Sequence, residues 1–198
     1  MSTQFPRWLS DACDRLKSRF DEAWDADEWM GDYYLVTTPT GELVTAFATN
    51  GGPRYQIQLV WLTMFATRRA IPCWKLYCDS NQPIDTVVAI CNWLNTSEEQ
   101  DWSAFSAPAK PTENGKPIVD CRECDTSCVA DAAAQAARFV DTRNHLNAIC
   151  SLSAADMAFD QSPIGSVDNF RKWLAEIAIP AAYAERELAT DEQTAFQD

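Results

Sequence analysis

A chain of 198 residues, 46% of them hydrophobic, is long enough to bury a core without disulfide bonds or a structural metal. Its net charge of −13 at pH 7 argues against nucleic acid or an anionic membrane as a partner, and favours a basic protein partner or simple solubility. The sequence shows no apolar signal-peptide core and no apolar run long enough to cross a membrane, which predicts a cytoplasmic protein with reduced thiols.

The elements predicted along the chain form a single domain, 1–198, that is mainly α (α+β), a helical domain with a small antiparallel β-hairpin near the N-terminus. The first element is an N-terminal helix within 1–30, because Leu9, Leu16 and Phe20 recur at helical spacing. Cys13 shares this apolar stripe, so we expect it to be a core residue.

A β-hairpin is predicted near residues 33–49, where two β-rich runs flank a Pro-Thr-Gly turn. The whole segment 33–62 is interpreted as a β-hairpin or small meander. Residues 55–66 fit two structures, because their apolar residues alternate as in a strand and also recur at helical spacing. We favour a short strand that passes into a helix.

The rest of the chain is predicted to be largely helical. Residues 63–95 are helical, with a helix led by Pro83. Residues 96–124, rich in Pro, Ser, Asn and Gly, form a loop. Residues 125–190 are helical, since an alanine-dense run follows Cys128 and Ser166 can cap a later helix. The polar tail 191–198 is expected to fray.

The stretch DCRECDTSC places Cys121, Cys124 and Cys128 within eight positions. Their spacing suits three ligands of a structural zinc site, but zinc prefers four ligands and the fourth is missing locally. The single histidine, His145, would lie about 26 Å from Cys128 on an unbroken helix. Cys73 or Cys78 could complete the site only through tertiary approach.

Two other interpretations of this cysteine cluster stay open, and a third, an iron–sulfur cluster, is disfavoured. Cys128 at a helix N-terminus could be a redox-active or nucleophilic thiol, although nearby acids oppose a lowered pKa. The spacing does not match the common iron–sulfur sequences. Finally, the three residues could be reduced thiols without a metal. The sequence therefore predicts that the protein needs no cofactor, with a structural zinc ion as the alternative.

The sequence contains no phosphate-binding loop, dinucleotide fingerprint, zincin motif or serine-hydrolase elbow. We therefore nominate no catalytic and no cofactor-binding residues, and expect a binding protein rather than an enzyme. Charge is unevenly distributed, because residues 51–78 contain four bases and no acid, whereas 79–105 contain five acids and no base. This asymmetry indicates either an acidic surface around one basic element or a docking face for a cationic partner.

The segment ATRRAIPCWKLYCDSNQPIDTVVAICNWLN, followed by VADAAAQAARFVDTRNHLNAICSLSAADMAF, resembles alanine-rich helical immunity proteins of bacterial polymorphic toxin systems. The resemblance rests on Pro72 with Trp74, on the Pro-led helix from Pro83 to Leu94, and on the alanine-rich helices after it. It implies a cytoplasmic inhibitor that binds a cognate toxin by occlusion, without catalysis.

Acidic residues beside exposed tryptophans suit such a role, because charge speeds encounter with a basic toxin and buried aromatics supply binding energy. The nominated partner-binding residues are Trp24, Asp25, Asp27, Glu28, Trp29, Glu98, Glu99, Asp101 and Trp102. The competing hypothesis is a metal-binding or redox-active protein centred on Cys121, Cys124 and Cys128.

Overall fold

The computed structural model describes residues 5–18, 38–118, 122–160 and 163–196, with the side chains of 122–125 left out. Its α-helices are α1 (Arg7–Ser18), α2 (Pro39–Asn50), α3 (Tyr55–Lys75), α4 (Gln82–Thr96), α5 (Arg122–Thr142), α6 (His145–Asp160), α7 (Val167–Trp173), α8 (Ile179–Tyr183) and α9 (Thr190–Thr194). The strands are β1 (Thr112–Glu113) and β2 (Lys116–Pro117). The prediction of a mainly helical fold with one small antiparallel sheet is confirmed for these residues.

The long helix α3 forms the centre of the core. Every residue from Gln58 to Thr67 is buried, which is typical of a helix enclosed on all sides. Helices α2, α4, α5, α6 and α8 pack around it. The prediction of a strand within 55–66 is therefore wrong, because a run buried on every face carries no periodicity that separates strand from helix.

The predicted β-hairpin at 33–49 is also wrong for its described part, which is helix α2. Thr38 caps this helix by accepting a hydrogen bond from the Gly41 amide at 3.1 Å, and Pro39 occupies the first turn. The Pro-Thr-Gly sequence thus begins a helix. At the other end a Cβ on Gly51 would lie 2.6 Å from the Phe47 carbonyl oxygen, so only glycine fits this close turn.

The sheet lies within the segment that was predicted as loop. Thr112 pairs with Pro117 and Glu113 with Lys116, joined by Asn114 and Gly115. Both turn residues have positive φ angles, 50° and 73°, as a two-residue β-hairpin requires. The β-hairpin therefore lies at 112–117, far along the chain from the N-terminal position predicted for it.

Helices α5 and α6 form an antiparallel pair that is rich in small residues. The Ser151 hydroxyl donates to the Ala132 carbonyl at 2.9 Å, which reflects a close approach of the two backbones. The pair turns at Arg143, whose φ is 56° and whose amide bonds to the Phe139 carbonyl. Since α5 ends at Thr142, the helix assumed to run unbroken from Cys128 to His145 is interrupted.

Other helical predictions hold in the described residues. The N-terminal helix is present as Arg7–Ser18 and is preceded by the non-helical Phe5 and Pro6. Residues 1–4 and 19–30 of its predicted range lie outside the described residues. Pro83 occupies the first turn of α4. The Ser166 hydroxyl caps α7 by accepting from the Asn169 amide at 3.1 Å.

The C-terminal segment Thr190–Phe196 is folded, so the prediction of a frayed tail is wrong for these residues. Arg69 of α3 donates to the carbonyls of Gln193 and Ala195, the second at 2.6 Å. The Trp173 indole N–H donates to the Glu192 carbonyl at 2.7 Å. Buried donors on other elements thus hold a segment whose own sequence is polar.

Candidate protein-binding site

The acidic residues nominated after α4 lie in one short loop, 97–101. Ser97 ends the helix with a φ of 56°, and its amide bonds to the Trp93 carbonyl at 2.8 Å. The Glu98 amide then donates to the Thr96 hydroxyl at 3.2 Å. These bonds fix the backbone at the start of the loop, so the direction in which the acidic loop leaves the helix is defined.

Asp101 closes the same loop. Its carboxylate accepts from the Ser103 amide at 2.9 Å and from the Ser103 hydroxyl at 2.6 Å, and so caps the turn Trp102–Ala104. These two hydrogen bonds lower the pKa of the Asp101 carboxyl below its ordinary value. Asp101 is therefore ionised at neutral pH and held at the surface.

Trp102 does not lie on the surface as predicted. Only 7% of it is exposed, and its ring packs edge-on against Trp93, with centroids 6.5 Å apart, and beside Phe105. The prediction that Trp102 offers an exposed contact is therefore wrong. Its burial instead anchors the loop that presents the acids.

Glu98, Glu99 and Asp101 are all exposed. Within the part of the chain that the structure describes, the side chains of Glu98 and Glu99 form no hydrogen bond and no ion pair. Other carboxylates are paired, as Glu176 is with Lys17 at 3.2 Å and Glu192 with Arg186 at 2.7 Å. The acidic loop therefore presents charge that no cation of the described chain neutralises by direct contact.

Trp93 joins this loop to the turn between α5 and α6. The Arg143 guanidinium lies 4.7 Å from the Trp93 ring centroid, and Trp102 packs against the same side chain. Neither Trp93 nor Arg143 was nominated from the sequence. Trp93 and Arg143 are 50 positions apart in the chain, so the local sequence pattern around either residue does not indicate that they are in contact.

The remaining nominated residues Trp24, Asp25, Asp27, Glu28 and Trp29 lie outside the described residues. Their part in a binding face stays a prediction. The structure thus places Glu98, Glu99, Asp101 and Trp102 together on one loop and the short turn that follows it.

The cysteine cluster is described only in part. Cys121 lies outside the described residues, the side chain of Cys124 is not described, and Cys128 is half-buried on α5. Among the residues that are described, no three potential metal ligands come together. The metal site of Cys121, Cys124 and Cys128 stays a prediction.

His145 does not approach Cys128 even though the helix between them is interrupted. The 14 residues from Cys128 to Thr142 span about 21 Å of helix, and His145 begins α6 at that far end. Its Nε2 lies 3.1 Å from the Tyr55 hydroxyl. The length of α5 therefore keeps His145 away from Cys128, and His145 is not a ligand partner of Cys128.

The cysteines outside the cluster differ in burial. Cys73 is fully buried, whereas Cys91 and Cys150 are half-buried. Cys13, predicted to be a core residue, is also only half-buried, at the edge of the core. Burial raises the pKa of the Cys13 thiol to about 11. Burial and a hydrogen bond to Glu187 at 3.0 Å raise the pKa of Cys91 to about 11.

We expect Cys13 and Cys91 to react slowly with a disulfide reagent at neutral pH, because the thiolate is the reactive form. The labelling rate of each should rise roughly tenfold per pH unit between about pH 7 and 9, since both pKa values lie above this range. Stopped-flow labelling with peptide mapping measures the rate at each cysteine. Unfolded protein in denaturant is the control, and rapid labelling of either folded thiol at neutral pH would contradict the assignment.

Comparison of the chain with protein-family models, with curated proteins and with solved structures finds no match. None of the helices in the described ranges is both long and apolar enough to span a bilayer. The case for a function therefore rests on the side chains themselves.

Proposed function

We propose that this chain is a cytoplasmic binding protein whose acidic loop, Glu98, Glu99 and Asp101, contacts a basic protein partner. The observation that supports this proposal is the set of exposed carboxylates on a loop fixed at both ends, two of which have no partner among the described residues. Glu98 and Glu99 are adjacent in the chain and Asp101 follows two residues later, so their like charges repel one another, and a cationic partner would relieve that repulsion.

A loop with these properties suits fast, charge-guided association. A net charge of −13 produces a long-range field that attracts a cationic protein, and a fixed loop gives that field a defined point of contact. The resemblance to immunity proteins supports the more specific proposal that the partner is a toxin, which the chain would inhibit by covering its functional surface.

The test first identifies a basic protein that binds the wild-type chain, by screening the products of neighbouring genes, and then uses that protein purified in an inactive form. We expect the triple variant E98Q/E99Q/D101N to associate roughly tenfold more slowly at low salt, with little change in dissociation. Asn at position 101 still offers an oxygen to the Ser103 amide, so the turn is kept. Surface plasmon resonance measures both rate constants.

The matched control is D141N/D168N/D191N, which removes the same charge from exposed positions elsewhere. It should associate much faster than the loop variant. Association of the wild type should also slow as salt rises from about 0.01 to 0.15 M, because the Debye length falls from about 30 to 8 Å. Equal slowing by both triple variants would show that net charge alone matters and would remove the loop from the site.

A further inference from the structure

Arg69 of α3 is a buried cation, and no carboxylate of the described residues forms an ion pair with it. Only 5% of Arg69 is exposed. Its guanidinium donates to the carbonyls of Gln193 and Ala195, and it lies over the Trp173 ring, 5.0 Å from the centroid. Carbonyls and a ring face are neutral, so they stabilise this charge without cancelling it. A cation buried in this way favours an anion from solution.

The guanidinium also has a donor that no hydrogen bond uses. Its Nε is buried and has no acceptor among the described residues, whereas Nη1 and Nη2 each have one. A buried N–H without an acceptor costs free energy, and the cost is larger when the donor is charged. Burial lowers the pKa of Arg69 to about 10, so the side chain keeps its charge at neutral pH. A negatively charged acceptor would both bind the Nε proton and balance the charge.

Arg69 lines a small cavity that lies between α3, α6, α7 and the C-terminal segment. The volume of the cavity is about 10 Å³, which is room for one water molecule or one small ion. The walls are largely apolar, and include Pro72, Phe159, Ile164, Phe170 and Phe196. Apolar surroundings strengthen the attraction between a charge and its counterion. The cavity therefore combines a charged donor with space for a monatomic ion, and is too small for a phosphate or carboxylate group.

The edge of the cavity provides a second donor and a second cation. The Ser166 hydroxyl accepts from the Asn169 amide at 3.1 Å, and its own proton can still be donated to an anion. Ser166 lines the cavity and is exposed, so it lies where an ion would enter. The Lys172 ammonium lies 4.4 Å from the ring centroid of Phe196, which forms part of the wall. Both features favour a negative charge in the cavity.

We propose that this cavity binds a single small anion, and that the anion is chloride. We call it the Arg69 site and define it by Arg69, Ser166 and Phe196. Arg69 Nε donates to the ion, while Nη1 and Nη2 continue to hold the C-terminal segment. A monatomic anion fits the volume, and chloride is the common one in solution. The site is separate from the acidic loop and does not depend on the proposed protein partner.

A crystal soaked in sodium bromide tests the position of the ion, because bromide replaces chloride and scatters anomalously. We expect an anomalous peak inside the cavity, beside Arg69 Nε. The measurement needs no substitution, so it does not depend on whether a variant folds. A cavity that holds only water, with bromide confined to exposed lysines and arginines, would contradict the proposal.

Urea denaturation at constant ionic strength tests the affinity in solution. Sodium chloride replaces sodium gluconate at a total of about 0.2 M, so that screening stays the same. For a dissociation constant of about 10 mM, about 0.1 M chloride should lower the unfolding equilibrium constant roughly tenfold. R69M should lose this chloride dependence, whatever its own stability is. The matched control R68M removes the exposed neighbouring guanidinium and should keep the dependence.

Hydrogen exchange of the wild type gives a local readout of the same binding. Chloride should slow the exchange of the amides of residues 193–196 severalfold, because the ion stabilises the side chain that holds this segment. The amides at the ends of α1 are the internal control and should not change. A wild type whose stability is the same in chloride and gluconate, or an R69M chain with the full chloride dependence, would overturn the proposal.

Discussion

Removing either partner of the buried ion pair Asp156–Arg171 is expected to destabilise the fold by about 3–5 kcal/mol. The Arg171 guanidinium donates to both carboxylate oxygens of Asp156, at 2.8 and 2.7 Å, and both residues are at most 9% exposed. The pair joins α6 to α7. Loss of one partner leaves the other charge buried without its main counterion.

The matched control for D156N and R171M is the double variant D156L/R171M. A buried pair replaced by apolar side chains of similar size often costs little, because the desolvation of both charges is removed together. Urea denaturation at neutral pH measures the three free energies of unfolding. A double variant as unstable as the sum of the single variants would contradict the view that an unpaired charge causes the loss.

The pH dependence of R171M provides a second readout. Burial raises the pKa of the Asp156 carboxyl above its ordinary value of 3.8, and the bonds from Arg171 oppose this rise. Without Arg171, the folded state holds a proton that the unfolded state releases. Relative to D156L/R171M, the R171M chain should therefore be most stable below pH 3.8 and lose stability as the pH rises through the folded pKa.

The sequence allowed some elements to be predicted because their signals are local. Pro83 in a first turn and Ser166 as a cap act on amides within a few residues, and both predictions are confirmed. Thr38 before Pro39 is the same kind of signal, yet it was interpreted as a turn because the residues around it have high β propensity. The segment is a helix because helical spacing places Leu43, Val44 and Phe47 on one side, where they are buried in the core.

The candidate site was predictable to a similar extent. The acids Glu98, Glu99 and Asp101 are exposed, as their composition and the surrounding loop residues indicated. The role of Trp102 was not predictable, because it depends on Trp93 in the neighbouring helix and on a turn capped by Asp101. A tryptophan in an acidic loop fits either an exposed contact or an anchor, and only the tertiary packing separates the two.

The anchoring role of Trp102 leads to a second large effect. We expect W102A to destabilise the chain by about 3–5 kcal/mol, since a buried indole is replaced by a cavity beside Trp93 and Phe105. W102F should cost less, because a second aromatic ring still fills most of the site. Urea denaturation measures both changes, with E98Q/E99Q as the control that leaves the anchor in place.

Loss of the anchor should also release the acidic loop. A protease that cleaves after glutamate should cut W102A at Glu98 or Glu99 faster than it cuts the wild type, under conditions in which both chains are folded. The reason is that the loop opens more often once the Trp102 side chain no longer holds it against the core. The conservative variant W102F should restore slow cleavage. If Trp102 were an exposed contact, W102A would have wild-type stability and an unchanged cleavage rate, and its only defect would be faster dissociation from the basic partner.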